Sequence, residues 1–298
     1  MRGGAQDGYS GSDDDESRRA LAAAVERGVT LFDTANAYGA GHSERLLGEV
    51  IGDDPAIRIA TKFGNSVDEA TRSITGRDVT PDGIRRQLEE SLERLRRPRI
   101  DLFQLHTPDV GRDEAAAIAA TLEDAVAEGL LRWWGVSTDD PSLIEPYLPS
   151  PHFATVQLRL NVLDDASAAL AFAEEHDLGV LCRSPLAMGL LGGRYDGSTQ
   201  LPEGDVRRSQ PAWLPWFEKG VPRAEFLERI DAVREILTSD DRSLAQGALA
   251  WIWARSDRAV PLPGFRTVAQ VDDTSAALAA GPLTPEQFAA VEEALGRV

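Results

Sequence analysis

Two hydrophobic rhythms take turns along this chain. Short apolar runs, which read as strands, fall at Val29 to Phe32 and at residues 57–62, 100–106, 131–137, 155–161, 178–185 and 259–264. Between them, apolar residues recur at three- and four-residue spacing over 18–26, 42–51, 81–96, 112–128, 166–176, 223–237, 243–255, 268–279 and 284–295. That spacing predicts amphipathic helices, with a shorter one near 141–147. Boundary signals agree: Ser12 to Glu16 supply an N-cap and an acidic first turn, Pro81 opens a helix, and Gly28 and Gly129 close two others. Seven strands separated by helices imply a parallel sheet with right-handed crossovers. Because α/β barrels of about 250 residues fold as one unit, residues 1–298 read as a single domain. Seven is one strand short of a closed (β/α)8 barrel. The missing strand should precede the helix beginning near Ser12, where the Gly-rich stretch Met1 to Gly11 offers no apolar run.

The strand ends carry the chemistry. The run LFDTANAYG, Leu31 to Gly39, opens as a strand and turns at Asp33 into a segment whose only large side chain is Tyr38. IRIATK closes on Lys62 and IDLFQLH closes on His106. In a parallel α/β barrel such ends face one pocket, so Asp33, Tyr38, Lys62 and His106 are expected to converge. Singly, each has an ordinary structural explanation: a rim ion pair, a capping tyrosine, a satisfied core histidine. Together, at successive strand ends, they read as a site. Lys62 is also unusual in this chain, whose 31 basic residues include only two lysines, Lys62 and Lys219. A lysine pKa moves with its surroundings, whereas arginine stays charged.

Composition narrows the function classes. A net charge of −18 argues against nucleic acid and anionic membrane surfaces as partners, since both need a basic face. A lone cysteine, Cys182, rules out an internal disulfide and suits a reducing compartment. No run reaches the ~18 apolar residues of a membrane helix, and the N-terminus has no apolar signal segment. The expected location is cytoplasmic. Metal hydrolysis is disfavoured, as the four histidines are scattered with no HxH or HExxH spacing.

The series GVTLFDTANAYGAGHSERLLGE (28–49), ATKFG (60–64), DLFQLHTPD (101–109), WWGVST (133–138), RSPLAMGLLGGRY (183–195) and PLPGFRTVAQVDD (261–273) strongly resembles the aldo-keto reductases, in order and over almost the whole chain. The resemblance implies an (α/β)8 barrel that transfers hydride between NADP(H) and a small carbonyl or alcohol. It also implies a catalytic tetrad at Asp33, Tyr38, Lys62 and His106. By the same resemblance Ser137 and Gln157 would bond the nicotinamide carboxamide, and Arg183 would stack on the ring. Ser184, Leu186 and Arg194 would hold the pyrophosphate. Gly264, Arg266, Gln270, Asp273 and Thr274 would hold the adenosine half, with Arg266 on a 2′-phosphate and thus NADPH favoured over NADH. Thr138 stands where the family usually has Asn, and Asp273-Thr274 replaces the usual Glu-Asn.

Family members have a hairpin and a first strand before the first helix, and here the chain begins at about where that strand should end. An open barrel would expose two strand edges and apolar interior, and predicts poor solubility or an unusual oligomer. Substrate specificity is expected in the loops Gly64 to Thr80 and Leu186 to Pro222. The aromatics Trp213, Trp216 and Phe217 in the latter read either as an apolar lid or as packing under a long loop. Rival functions are a cofactor-binding regulatory subunit, as in potassium-channel β subunits, a truncated reductase of little activity, and a lyase using Lys62 as a Schiff base. The last would need a neutral amine, which a neighbouring Asp33 opposes.

Overall fold

The computed structural model describes residues 13–52, 54–208 and 214–297. In chain order the elements are α1 (Asp14–Glu26), β1 (Leu31–Asp33), α2 (His42–Ile51), β2 (Arg58–Phe63), β3 (Asn65–Asp68), β4 (Ser73–Arg77), α3 (Pro81–Leu95), β5 (Ile100–Leu105), α4 (Arg112–Ala127), β6 (Leu131–Ser137) and β7 (Phe153–Asn161). There follow β8 (Asp164–Asp165), α5 (Ser167–Glu175), β9 (Gly179–Arg183), β10 (Phe217–Glu218), β11 (Val221–Pro222), α6 (Ala224–Leu237), α7 (Leu244–Arg255), β12 (Ala259–Pro261), α8 (Val268–Ala280) and α9 (Pro285–Ala294). The seven long-range strands pair in parallel in the order β1-β2-β5-β6-β7-β9-β12, the curled sheet of a (β/α)8 fold. Among the described residues β1 and β12 each pair on one side only. The expected place of an eighth strand, Met1 to Gly11, lies outside the described residues.

Alternation along each strand divides the core in two. Phe32, Ile59, Phe63, Phe103, Trp134, Val156 and Val180 turn outward and join the helices in one large apolar cluster. Ala60, Leu102 and Leu181, with Leu31 and Leu262 against them, form a separate small cluster inside the barrel. Each fully buried Leu or Ile stabilises the fold by about 1.5–3 kcal/mol. On α3 the stripe Ile84, Leu88 and Leu95 is fully buried, which follows from the 3.6-residue period of that segment. Helix starts are capped as the sequence predicts: Asp13 accepts from Asp15 N and Glu16 N at 2.8 and 3.0 Å, and Thr80 accepts from Gly83 N at 3.1 Å.

Several segments differ from the sequence reading. β1 begins at Leu31, since Val29 N donates to Ala24 O at 3.0 Å and so closes α1 instead of joining the ladder. The 64–80 loop contains the antiparallel hairpin β3–β4. Residues 141–147 form two 3-10 turns, because Pro146 can donate no helical hydrogen bond. In the long connection Trp216 and Phe217 are buried in the main apolar cluster, so they are packing under the loop, and Trp213 lies outside the described residues. Arg207 ties that connection down: it clasps Asp205 through two bonds of 2.7 and 2.8 Å and donates to Met188 O and Tyr195 OH.

Candidate active site

Asp33 ends β1 level with Ala60 of β2, and two residues further along β2 comes Lys62, level with Gln104 of β5. All three side chains point into the barrel. Lys62 has no exposed surface. Its Nζ is hydrogen-bonded to Asp33 Oδ1 and donates to Thr34 O at 2.7 Å. Burial works against the ammonium, but the Asp33 charge, with Tyr38 and the bond to Asp33 adding to it, outweighs burial and raises the Lys62 pKa above the usual lysine range. The other carboxylate oxygen, Asp33 Oδ2, accepts from Gln157 Nε2 at 2.9 Å and from Gln104 Nε2 at 3.1 Å.

Tyr38 is held by its loop. Gly39, Ala40 and Gly41 are consecutive left-handed residues at φ 61°, 49° and 84°, which is why the sequence there reads Gly-Ala-Gly. A Cβ at Gly41 would meet Arg94 Cδ at 2.6 Å. Asn36, fully buried, donates to Asn65 O at 2.8 Å and to Gln87 Oε1 at 3.2 Å, and Thr34 Oγ1 donates to Ser43 Oγ at 2.8 Å. The loop therefore has few alternatives, and it sets the Tyr38 ring 5.0 Å from Lys62 Nζ and edge-on to His106, with centroids 5.9 Å apart. His106 prolongs the β2–β5 ladder, its N donating to Phe63 O at 2.9 Å. Asn65 Nδ2 lies 3.4 Å from its Nδ1. The four residues expected to converge do so.

The remaining expected residues fall at the same end of the barrel, on later elements. Ser137 and Gln157 are neighbours across the β6–β7 ladder, and both are buried. Arg183 ends β9 and is ion-paired to Asp139, while burial holds its pKa below the usual arginine value against the pull of that aspartate. Ser184, Ala187 and Met188 are left-handed at φ 53°, 46° and 57°, a strained backbone run that includes Leu186. Arg194 is exposed and makes no side-chain bond among the described residues. Gly264, Arg266 and Gln270 lie between β12 and the first turn of α8, where Arg266 N donates to Gln270 Oε1 at 2.8 Å. Asp273 is turned toward α7, its Oδ1 accepting from Ser243 Oγ at 2.7 Å and Gln246 Nε2 at 3.0 Å. Thr274 Oγ1 donates to Gln270 O within the helix. Val268 N, the first N–H of α8, is capped from α1 by Glu16 Oε1 at 3.1 Å.

Three residues of this constellation were missed in the sequence: Gln104, Gln87 and Asn65. Each had a signal. Gln104 is an amide on the inward phase of an otherwise apolar strand, and Gln87 interrupts the buried stripe of α3, where it accepts from Gly64 N at 2.8 Å.

A buried ammonium beside a phenol and an imidazole, at the open end of a parallel barrel, is an arrangement for moving a proton. Comparison with known proteins agrees with that architecture. The glycerol dehydrogenase AKR11B4 from Gluconobacter oxydans has a TM-score of 0.82 at 30% identity, covering 97% of this chain and 88% of that one. The holo aldo-keto reductase AKR11C1 from Bacillus halodurans has a TM-score of 0.76 at 26% identity, covering 97% and 91%. The fission yeast Schizosaccharomyces pombe protein named aldo-keto reductase yakc [NADP(+)] is 28% identical over 279 residues, 91% of this chain and 80% of that protein. Residues 2–295 match the Aldo/keto reductase family as a whole, and the chain belongs to that family.

Proposed function

We propose that this chain, acting as one domain, is an NADP(H)-dependent oxidoreductase that reduces an aldehyde or ketone to an alcohol, with Tyr38 as the proton donor. The observation that carries the proposal is the placement of Lys62: a fully buried ammonium, fixed by Asp33, 5.0 Å from the Tyr38 ring. A positive charge beside a phenol favours its ionised form, so Tyr38 gives up its proton more readily than a free phenol of pKa ~10. His106, edge-on to the ring, steers the carbonyl oxygen toward the phenol. Asp33 keeps Lys62 charged and in place. The same site argues against a Schiff-base lyase, which needs an accessible neutral amine, since Lys62 is buried and its pKa raised.

Residues present at the barrel mouth fit a nicotinamide dinucleotide. Gln157 Oε1 accepts no hydrogen bond among the described residues and stands beside Ser137. The Arg183 guanidinium, restrained by Asp139, offers a flat face for stacking. Arg194 is an exposed cation on the connection expected to face pyrophosphate, and a Cβ at Gly264 would meet nothing within 4 Å, so its backbone is open to a ligand. Arg266, at the turn that leads into α8, is the cation proposed for a 2′-phosphate. The NADP(+) in the name of the yeast relative supports this choice, with NADH as the second candidate. When bound, NADPH supplies the hydride; the protein supplies the proton and the geometry.

The test is a titration with NADPH and with NADH, followed by quenching of tryptophan fluorescence, and then a panel of carbonyl compounds. Tight NADPH binding with turnover that Tyr38→Phe lowers by more than about 100-fold, at nearly unchanged NADPH affinity, is the expected result. An unchanged kcat in Tyr38→Phe would remove Tyr38 from its role, and absence of binding to either dinucleotide would overturn the reductase reading.

A further inference from the structure

Gln104 has no place in the chemistry so far, yet it is fully buried in the wall of the barrel. It sits on β5 between Lys62 of β2 and Gly135 of β6, one inward step above Leu102 of the apolar floor. A leucine would fill that position without desolvating an amide, which costs on the order of 1–3 kcal/mol when unpaired. The amide is paired at both ends. Its Nε2 donates to Asp33 Oδ2 at 3.1 Å, and its Oε1 accepts from Gln157 Nε2 at 3.4 Å. Gln157 Nε2 in turn donates to the same Asp33 Oδ2 at 2.9 Å. Asp33 Oδ1 is left to Lys62.

This closed triangle has a consequence for the Gln157 amide, which can face a ligand with either its oxygen or its NH2. Both acceptors inside the barrel wall, Asp33 Oδ2 and Gln104 Oε1, demand the NH2. Flipping the amide would set its oxygen against a carboxylate and a carbonyl oxygen, leaving three acceptors face to face in a dry site. The Oε1 of Gln157 is thereby presented outward, where it accepts no bond among the described residues.

We propose that Gln104 is a positioning residue which, with Asp33, locks Gln157 as a hydrogen-bond acceptor toward the ligand, so that the site takes a primary carboxamide and rejects a carboxylate at that point. The inference rests on the proposed reductase reading, in which the ligand group is the nicotinamide carboxamide. Its nicotinic-acid counterpart carries a carboxylate there and meets the Gln157 oxygen with no proton to offer. The same triangle ties the ligand-facing amide to the Asp33–Lys62 pair, so losing Gln104 disturbs dinucleotide recognition and proton delivery together.

The test compares NADPH with reduced nicotinic acid adenine dinucleotide phosphate, in the native protein and in Gln104→Met, which keeps the length of the side chain and removes both polar ends. Affinities are read by tryptophan fluorescence, and kcat and KM for a carbonyl substrate are followed against pH. The native protein is expected to prefer the carboxamide dinucleotide by 100-fold or more. Gln104→Met is expected to lower that ratio at least 10-fold and to move the pH profile of kcat, because Asp33 has lost a donor. A ratio and a profile both unchanged in Gln104→Met overturn the proposal while leaving the reductase reading intact. Binding of neither dinucleotide by the native protein overturns both. Should Gln104→Met fail to fold, Gln104→Leu, which likewise removes both polar ends, decides between the outcomes by the same ratio.

Discussion

Asp33→Asn removes the charge opposite Lys62 and nearly nothing else. The ammonium has no exposed surface, and besides Asp33 it is held by Thr34 O at 2.7 Å and by the Tyr38 phenol. Two responses are open to it. Staying charged without a counter-ion costs about 3–5 kcal/mol, the usual loss when one partner of a buried pair is removed. Shedding its proton costs about 4–5 kcal/mol at pH 7, since an unperturbed lysine has a pKa of ~10.4. Either way the variant should be about 3–5 kcal/mol less stable at pH 7, a large share of a domain's stability. The two responses separate with pH. If the proton leaves, the unfolded chain binds one more proton than the native state, and the deficit shrinks by about 1.4 kcal/mol for each pH unit up to the lysine pKa. Lys62→Met should cost less, about 1–3 kcal/mol, because Asp33 keeps two amide donors and an 11% exposed side chain. Urea unfolding followed by circular dichroism at pH 7, 8 and 9 gives both quantities. Equal losses in the two variants, or a loss below about 1 kcal/mol in Asp33→Asn, would refute the picture of Lys62 as a desolvated ammonium that depends on Asp33.

Other expectations concern the frame around the site. Arg94→Met leaves Glu44 fully buried with Thr61 Oγ1 as its only side-chain donor among the described residues and should cost about 3–5 kcal/mol in urea unfolding, which the double variant with Glu44→Leu should partly restore. Gly48→Ala gains about 1 kcal/mol of helix propensity in α2 but puts a Cβ 2.3 Å from Arg94 O. The net effect in a thermal melt should therefore be a loss of about 1–3 kcal/mol, and a rise in Tm would show that α2 and α3 can part. Burial pushes the Cys182 thiol from 9.0 up to about 12. The native state thus holds that proton longer than the unfolded chain, and its stabilising effect is complete below pH 9 and drains away toward pH 12, by up to ~1.4 kcal/mol per unit. Cys182→Ala should accordingly flatten the alkaline fall in stability between those values, and an unchanged slope would count against the shift.

The strand ends of the proposed site were legible because two physical codes coincide there. Period-2 alternation marks where a strand stops, and a charged or imidazole group at that stop has nowhere apolar to go. Asp33, Lys62 and His106 satisfy both. Tyr38 was legible as the only large side chain in the turn-forming segment that follows Asp33. The hairpin β3–β4 was not, since Ser73 to Arg77 are all exposed and leave no hydrophobic phase to read. The two 3-10 turns carry the apolar spacing of one short helix, but Pro146 forbids its ladder. Gln104 and Gln87 could be seen as misplaced amides but not given a role, for a different reason. An amide has no preferred environment until its partners are known, and those partners, Asp33, Gln157, Asn36 and Gly64, come from distant parts of the chain. Trp216 and Phe217 belong with them: aromatic character alone does not distinguish a lid from an underlay.

The contact between Glu16 and Val268, with the ion pair of Arg27 and Asp272 at 2.6 Å beside it, joins α1 to α8. Those partners are 252 residues apart. Closing a loop of that length costs about 5 kcal/mol of chain entropy, whereas neighbouring strands of the sheet join across short crossovers. The α1–α8 seam is therefore expected to form late in folding and to be among the first long-range contacts to open. Its amides should exchange with solvent by smaller excursions than those of the central strands β5 and β6. Arg266, the proposed cation for a 2′-phosphate, lies two residues before Val268 at the start of α8, so a dinucleotide bound there would act as a late-arriving fastener. Hydrogen exchange in α1 and the first turn of α8 would slow far more on its addition than exchange elsewhere.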